Sequence, residues 1–293
     1  MPISRVDDGK LTIDAPELPG LQLDDLAKVV TKVATTWARL INGIEGPPYE
    51  PALVNITQAG IIVEISIKDI QKNRTIQRVS KASDDWWTAV TSWIEVFSKQ
   101  DIKQLGPARQ LWRSGRRLQF FPLTEAERLE SLFLAIKPDV SGVIDLKHLR
   151  ASFAQAGEGV LPPDEWVFLR DARSLYFAGE YRRATIDVGS ATEIALVTLI
   201  RKKLALKGMR QGDIAKEIAR CETKTLGGKR TFYETTLGLG RLPQGFERFV
   251  LKARNDAVHM NRTITKVDAR RAIAHAEQLV KRAAPLAAFI PSS

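Results

Sequence analysis

The segment from Arg254 to His259 carries the residue types best suited to chemistry in this chain. It reads Arg-Asn-Asp-Ala-Val-His, and His259 is one of three histidines in the sequence. An imidazole titrates near neutral pH, so it can take a proton from a hydroxyl group or return one to a leaving group. A guanidinium binds phosphate through two hydrogen bonds and can stabilise the charge that builds up on a phosphorane. The spacing alone also fits a solvated helix end with a structural arginine, and by itself it favours this second interpretation.

A helix predicted over residues 246–257 must position this segment. On an uninterrupted helix Arg254 and His259 are about 140° apart, so their convergence needs either a break near residues 257–258 or the long reach of the arginine. Arg254 lies beside the apolar stripe formed by Phe246, Val250, Ala253 and Ala257. The polar side of the same helix is expected to carry Arg248, Lys252, Asn255 and His259.

Glu193 is the second residue whose position is informative. It shares one face of a predicted helix with Ile186, Val197, Ile200 and Leu204. A carboxylate on an apolar stripe is costly unless it is paired. We therefore predict an internal ion pair with an arginine of another helix, and Arg254 is the first candidate. The next candidates are Arg182, Arg183 and Lys252.

The excess positive charge of the chain lies in its last third. The net charge is +10, with 24 basic and 26 acidic residues over positions 1–200 but 20 basic and 8 acidic residues over positions 201–293. This asymmetry favours a polyanionic partner, of which nucleic acid is the commonest, over a basic face that serves solubility alone.

Several classes of protein are excluded by composition. The single cysteine, Cys221, rules out an intrachain disulfide framework and a cysteine-based zinc site. We find no cluster with metal-ligand spacing and no nucleotide-binding glycine motif, so no metal and no cofactor are expected. No signal peptide and no apolar run long enough to cross a membrane are visible, so we expect a cytoplasmic location and no membrane partner.

The N-terminal part, residues 1–152, is predicted to be a small α+β module of unknown role. Apolar spacing gives a β-α-β-β-α order, and residues 154–164, rich in glycine and proline, form the best candidate linker. The predicted strands span residues 10–15, 52–57 and 61–67, with a turn at 58–60, and the predicted helices span residues 21–44 and 83–97, with less certain helices at 107–117 and 124–136.

The C-terminal part, residues 160–293, is predicted to be an all-α bundle. A long, glycine-containing loop over residues 223–245 interrupts it, with a brief helical turn near Tyr233. Phe232 and Tyr233 in this loop either stack on unpaired bases or, more often for such residues, pack the loop onto its own domain. The predicted helices run from about residue 164 to Gly179, and over 181–206, 212–221, 246–257 and 267–284.

Residues 164–286 resemble the HEPN family of helical domains, in particular the Apea-like or abortive-infection branch. The resemblance rests on a helix pair reading LRDARSLYFAGEYRRATIDVGSATEIALVTLIRKKL, a basic irregular stretch and then ARNDAVH before a final helix. The HEPN signature is an arginine, often followed by a polar residue, and a histidine after four to six residues. Arg254, Asn255 and His259 fill these three places.

The resemblance implies a metal-independent endoribonuclease that works as a homodimer, often a toxin or an antiviral-defence effector. The arginines and histidines of both protomers would face one cleft, and the ribose 2′-hydroxyl would attack its own phosphate. His259 would be the general acid/base, Arg254 would stabilise the phosphorane, and Asn255 would position the phosphate or the partner side chain. Supporting roles are assigned to Glu193 and Asp256, RNA binding to Arg248, Lys252, Lys229 and Arg230, and an antitoxin or defence protein is a further expected partner.

Two alternatives remain open at this point. The HEPN domain could be catalytically silent and serve as a dimerising module that binds RNA or a nucleotide. Alternatively, the N-terminal module could be the functional part and the bundle its assembly platform. The intact ARNDAVH segment favours the enzyme, because a pure scaffold has no physical need for both Arg254 and His259.

Overall fold

The computed structural model describes residues 3–7, 10–13, 34–35, 59–60, 74–102, 105, 144–220, 224–259 and 262–290. The chain divides into two compact units. The first comprises residues 1–102 and 111–161, and the second comprises residues 103–110 and 162–293. None of the described helices is both long enough and apolar enough to span a membrane.

The first unit contains two small antiparallel ladders and two helices among its described residues. Strand β1 (Ile3–Asp7) pairs with β2 (Lys10–Ile13), and β3 (Ala34–Thr35) pairs with β4 (Ala59–Gly60). Helix α1 (Arg74–Ser98) packs against α2 (Leu146–Gly157). The core between these two helices includes Trp86, Trp87, Val90, Leu149 and Phe153.

The predicted β-α-β-β-α module is wrong. Residues 34–35, predicted within a helix, form β3, and its partner β4 lies in the predicted turn at 58–60. Residues 29–36 read Val-Val-Thr-Lys-Val-Ala-Thr-Thr, and such β-branched residues fit extended backbone better than a helix, whatever their apolar spacing. Strand β2 lies within the strand predicted over 10–15, but its partner β1 was not predicted.

Helix α1 also differs from its prediction, because it begins at Arg74 and not at the Ser83 cap. The side chain of Ser83 is buried within the helix. The helix ends at Ser98, where Lys99 adopts a φ of 61° and its amide donates to the carbonyl of Glu95. The strands predicted over 52–57 and 61–67 and the helices predicted over 107–117 and 124–136 lie outside the described residues.

The second unit is helical, as the sequence predicted for the C-terminal part. Helices α3 (Asp164–Phe177) and α4 (Tyr181–Leu206) form an antiparallel pair joined at Gly179, whose φ of +83° suits glycine. The long helix α4 is central, since α3, α7 and α8 all pack on it. The remaining elements are α5 (Gln211–Ile218), α6 (Leu226–Thr231), a π-helical turn π1 (Phe232–Thr236), a second π-helical turn π2 (Glu247–Lys252), α7 (Ala253–His259), α8 (Lys266–Ala283) and a 3₁₀ turn (Leu286–Phe289).

About half of the predicted loop over residues 223–245 is helical, in α6 and π1, and π1 confirms the helical turn predicted near Tyr233. Thr225 caps α6 by accepting a hydrogen bond from the amide of Gly228 at 3.0 Å. Phe232 and Tyr233 are both buried, and the Tyr233 hydroxyl accepts a hydrogen bond from Arg282 Nη2 at 3.0 Å. Their rings therefore pack the segment onto its own unit and are not presented to a ligand.

Candidate functional site

The helix that carries Arg254 and His259 has no break. The π2 turn passes directly into α7, and the helical backbone continues through residues 257 and 258 to His259. Its predicted apolar stripe is confirmed, because Phe246, Val250, Ala253 and Ala257 are all buried. The sequence therefore placed the inner face of this helix correctly and ended the helix two residues too early.

Within the described residues Arg254 and His259 form no hydrogen bond with each other. Without a break the two side chains leave α7 about 140° apart. Arg254 is half-buried, and its Nη1 donates a 3.3 Å hydrogen bond to Asn255 Oδ1. His259 is exposed, and within the described part of the chain its ring makes no hydrogen bond or ion pair. Its nitrogens are therefore available to an external group.

Gly189 holds Arg254 in place through close packing. Gly189 lies buried in the middle of α4, and a Cβ atom added there would lie 2.5 Å from Arg254 Cγ and 3.3 Å from Arg254 Cβ. The arginine stem thus rests directly on the backbone of α4, and only its guanidinium group extends beyond this contact. The sequence analysis missed Gly189. Its signal is a glycine, a poor helix former, in the interior of a long helix.

Replacing Gly189 with alanine should therefore destabilise the second unit and displace Arg254. We expect a loss of about 1–3 kcal/mol in the free energy of unfolding, as for other overpacked sites. Gly212→Ala is the matched control, because Gly212 lies in α5 with no atom within 4 Å of its added Cβ, and there alanine should be neutral or stabilise by up to about 1 kcal/mol. Denaturant unfolding measures both.

A double substitution separates the contact from other effects. Removing the stem with Arg254→Ala should recover part of the stability lost in Gly189→Ala, since it removes Cγ, the atom only 2.5 Å from the added Cβ, and keeps Arg254 Cβ at 3.3 Å. Equal stability of Gly189→Ala and Gly212→Ala, or no recovery in the double variant, would contradict the proposed packing.

Asp256 serves the structure of the helix end. Its side chain is buried, and Oδ2 accepts a hydrogen bond from Arg262 Nη1 at 3.0 Å. Nearby, Arg182 Nε donates to the carbonyl of Ala257 at 2.7 Å. A cation bound to a carbonyl of the last turn stabilises a helix C-terminus. Both contacts therefore hold the end of α7 from which His259 projects.

The predicted ion pair between Glu193 and Arg254 is wrong. Glu193 Oε1 accepts a 2.8 Å hydrogen bond from Lys229 Nζ, which also donates to the carbonyl of Lys224 at 3.1 Å. The Lys229 side chain is 8% exposed and that of Glu193 is 35% exposed. The need for a partner was correctly predicted, but the partner comes from α6, a segment interpreted as a loop.

A double-mutant cycle distinguishes the two pairings. Glu193→Gln combined with Lys229→Met should give a coupling free energy of about 1 kcal/mol or more, because one member of the pair is buried. Glu193→Gln combined with Arg254→Met should give additive stability losses. A coupling confined to the Arg254 cycle would contradict the observed pair.

The four residues assigned to RNA binding fall into two groups. Lys229 is buried in its ion pair, and Arg230 binds Glu234 at 3.1 Å and Glu247 at 2.8 Å. Arg248 and Lys252 are exposed and, within the described part of the chain, form no ion pair. The exposed polar face of this helix carries Arg248, Lys252, Asn255 and His259, as the sequence predicted.

A pocket of about 580 Å³ opens on this face. It is lined by Gly245, Glu247, Arg248, Leu251, Lys252 and Asn255. The pocket thus lies between the basic side chains of π2 and Asn255, the residue that follows Arg254. The pocket is shallow and open to solvent, so a bound group would contact it on one side.

Asp187 is a titratable group that the sequence analysis did not single out. Burial and, to a lesser extent, the negative charge of Asp171 raise the pKa of its carboxyl to about 6, although Arg183 opposes the shift. A group with this pKa changes its charge near neutral pH. It lies on α4 together with Gly189.

No group of three or more histidine, cysteine, aspartate or glutamate side chains is arranged to hold a metal ion among the residues that the structure describes. Comparison of the chain with protein-family models, with curated proteins and with solved structures found no match.

Proposed function

We propose that the chain is an endoribonuclease of HEPN type that cleaves RNA without a metal ion. The observation that carries this proposal is the arrangement of the motif: His259 is exposed, its ring forms no hydrogen bond or ion pair with any described residue, and Arg254 is anchored by its stem on Gly189. Both residues lie in a unit whose described elements are all helical and which holds the excess positive charge of the chain. These are the groups that a phosphoryl transfer without metal needs.

The proposed reaction is an intramolecular transesterification. The ribose 2′-oxygen forms a bond to its own phosphorus, and the bond from phosphorus to the 5′-oxygen of the next nucleotide breaks. The neutral imidazole of His259 takes the proton of the 2′-hydroxyl, and the same imidazole, now protonated, gives that proton to the leaving 5′-oxygen. The guanidinium of Arg254 stabilises the charge on the phosphorane. The products are a 2′,3′-cyclic phosphate and a 5′-hydroxyl.

In our proposal, a second copy of the chain brings its His259 close to Arg254 of the first. Because Arg254 and His259 diverge on the unbroken helix α7, one chain cannot direct both at the same phosphate through its helix geometry. In a two-fold dimer, a contact between one residue of the first chain and a different residue of the second is repeated with the chains exchanged. The arginine of one chain then meets the histidine of the second. Toxin or antiviral-defence activity is the biological role that we propose with this reaction, on the resemblance alone.

Because Arg254 and His259 leave α7 in different directions, one alternative function is also favoured. If no second chain completes the cleft, the exposed basic face of π2 and α7 remains a binding surface for RNA without cleavage. The two functions differ in one assay. Incubation of RNA with the purified full-length chain in excess EDTA should yield discrete fragments for the nuclease, whereas a binding module leaves the RNA intact while retarding it in a gel.

A further inference from the structure

Phe249 forms the centre of a cluster that the proposed reaction does not use. It lies in π2, and its ring stacks on that of His275 from α8, with centroids 5.0 Å apart and an interplanar angle of 15°. Gly245, with a φ of +87°, leaves room for this stack. A Cβ atom added at Gly245 would lie 2.8 Å from Phe249 Cδ2 and 3.1 Å from His275 Cε1. The phenyl ring is thus fixed from two sides.

Two arginines from different helices rest on this one ring. The guanidinium carbon Cζ of Arg248 lies 5.2 Å from the ring centroid, and that of Arg271 lies 5.3 Å from it. These distances are within the range of a cation–π contact, which restrains a side chain that would otherwise move freely in water. Arg248 comes from π2 and Arg271 from α8. The two guanidinium groups therefore contact the same ring, and their Cζ atoms lie at most about 10.5 Å apart.

The nearby carboxylates offset only part of the charge of the pair: hydrogen bonds from Thr265, and then the charges of Arg262 and Arg271, lower the pKa of Asp268. Both arginines are exposed, and within the described part of the chain neither forms an ion pair. Asp268, one turn before Arg271, accepts hydrogen bonds from the hydroxyl and amide of Thr265 at the start of α8. Glu247, beside Arg248, is bound to Arg230 at 2.8 Å.

The pair also lies next to the pocket of the candidate site. Arg248 lines that pocket together with Lys252 and Asn255. A nucleic-acid strand whose phosphate binds Arg248 can therefore continue into the pocket and reach Asn255, the residue that follows Arg254. Arg271 and Phe249 lie outside the pocket lining, so they extend the basic surface away from the motif.

We propose that Arg248 and Arg271, held together by Phe249, clamp the phosphodiester backbone of single-stranded nucleic acid and direct the strand into the pocket beside Asn255. A guanidinium recognises a phosphate through two parallel hydrogen bonds, and its planar face stays on the ring while its edge donates. This inference rests on the proposed function for the identity of the ligand as nucleic acid. The clamp contacts phosphates and not the 2′-hydroxyl, so it binds DNA as well as RNA.

Binding of a strand that cannot be cleaved tests the clamp separately from catalysis. The probe is a fluorescein-labelled oligothymidylate of about 12 nucleotides, near the span of common single-strand binding sites, titrated with the full-length chain and followed by anisotropy. Arg248→Ala and Arg271→Ala should each weaken binding by roughly tenfold, and each should reduce the salt slope by ~0.7 for one lost phosphate contact. The affinity of Arg271→Lys for the oligonucleotide should lie between that of Arg271→Ala and that of the unchanged chain. Lysine keeps the positive charge but lacks the planar guanidinium that forms two parallel hydrogen bonds.

Arg270→Ala is the matched control. Arg270 is the residue before Arg271 on the same helix, it is exposed, and no ring contact or ion pair involves it within the described part of the chain. Arg270→Ala removes the same charge from nearly the same place, yet we expect its affinity for the oligonucleotide to change by less than ~2-fold. Unchanged melting temperatures for all variants show that the fold is preserved.

Three outcomes would overturn the clamp. Equal weakening by Arg270→Ala and Arg271→Ala would mean that only net charge matters. Unaltered binding in Arg248→Ala and Arg271→Ala would place the strand elsewhere. Displacement of the oligonucleotide by polyglutamate of the same charge would indicate an acidic protein as the partner. Oligothymidylate binding that depends on Arg248 and Arg271 supports the clamp even where RNA is not cleaved, so the two proposals fail independently.

Discussion

RNA cleavage by His259→Ala protein should fall at least ~100-fold below that of the unchanged chain, because a general acid/base contributes on this scale. The side chain is exposed and forms no hydrogen bond, ion pair or ring contact within the described residues, so the melting temperature should stay the same. Cleavage of a labelled RNA at saturating enzyme measures the loss. Full activity of the His259→Ala protein would exclude the histidine from the reaction.

Loss of the guanidinium at position 254 should have a comparable effect. Arg254→Met is the better variant here, since its unbranched stem keeps the packing on Gly189 that Arg254→Ala removes. We expect a loss of roughly 100-fold or more from the missing stabilisation of the phosphorane. Equal cleavage by Arg254→Met and the unchanged chain would show that the guanidinium takes no part in the reaction and that Arg254 serves only through the packing of its stem.

Mixing the two inactive proteins should restore cleavage. If the arginine of one chain acts with the histidine of the second, a dimer of one His259→Ala chain and one Arg254→Met chain keeps one intact site and loses the other. With random exchange, half of the dimers are mixed, so the mixture should reach about a quarter of the unchanged activity. Each protein is incubated alone as the control, and cleavage is measured before and after mixing.

A mixture that stays as inactive as its components would contradict the shared site. It would mean that Arg254 and His259 act within one chain, which the unbroken course of α7 does not favour. The same experiment thus tests both the assembly and the assignment of the two residues.

The inner face of the site helix could be predicted from the sequence, because burial imposes a helical period on apolar residues. Phe246, Val250, Ala253 and Ala257 follow that period and are buried. The π2 turn lies within this stretch, yet it preserved the burial of all four residues. The exposed side with Arg248, Lys252 and Asn255 follows from the same pattern.

The partners across the site could not be predicted, because they depend on tertiary packing. Glu193 clearly needed a cation, but Lys229 comes from α6, whose Gly227 and Gly228 suggested a loop. The cap at Thr225 and the burial of Leu226 outweigh the low helix preference of two glycines. The stack of Phe249 on His275 joins residues of two helices and leaves no periodic signal.

The N-terminal prediction failed for a different reason. The apolar residues over 21–44 recur at helical spacing, but some of them are β-branched and favour extended backbone. Spacing alone does not decide between a helix and a strand. Strand β3 lies in this stretch and pairs with β4, far along the chain. Long-range pairing of this kind is invisible to a local pattern.

The chemical ends of the RNA fragments test the proposed reaction most directly. A defined RNA is incubated with the full-length chain in excess EDTA, and the fragments are weighed by mass spectrometry, with the His259→Ala protein as the control. Attack by the 2′-hydroxyl predicts 2′,3′-cyclic phosphates and 5′-hydroxyls in the presence of EDTA, and a strand with a 2′-deoxy residue at the cleaved position should remain intact. Fragments with 5′-phosphate ends, or cleavage that stops when EDTA is added, would contradict this mechanism.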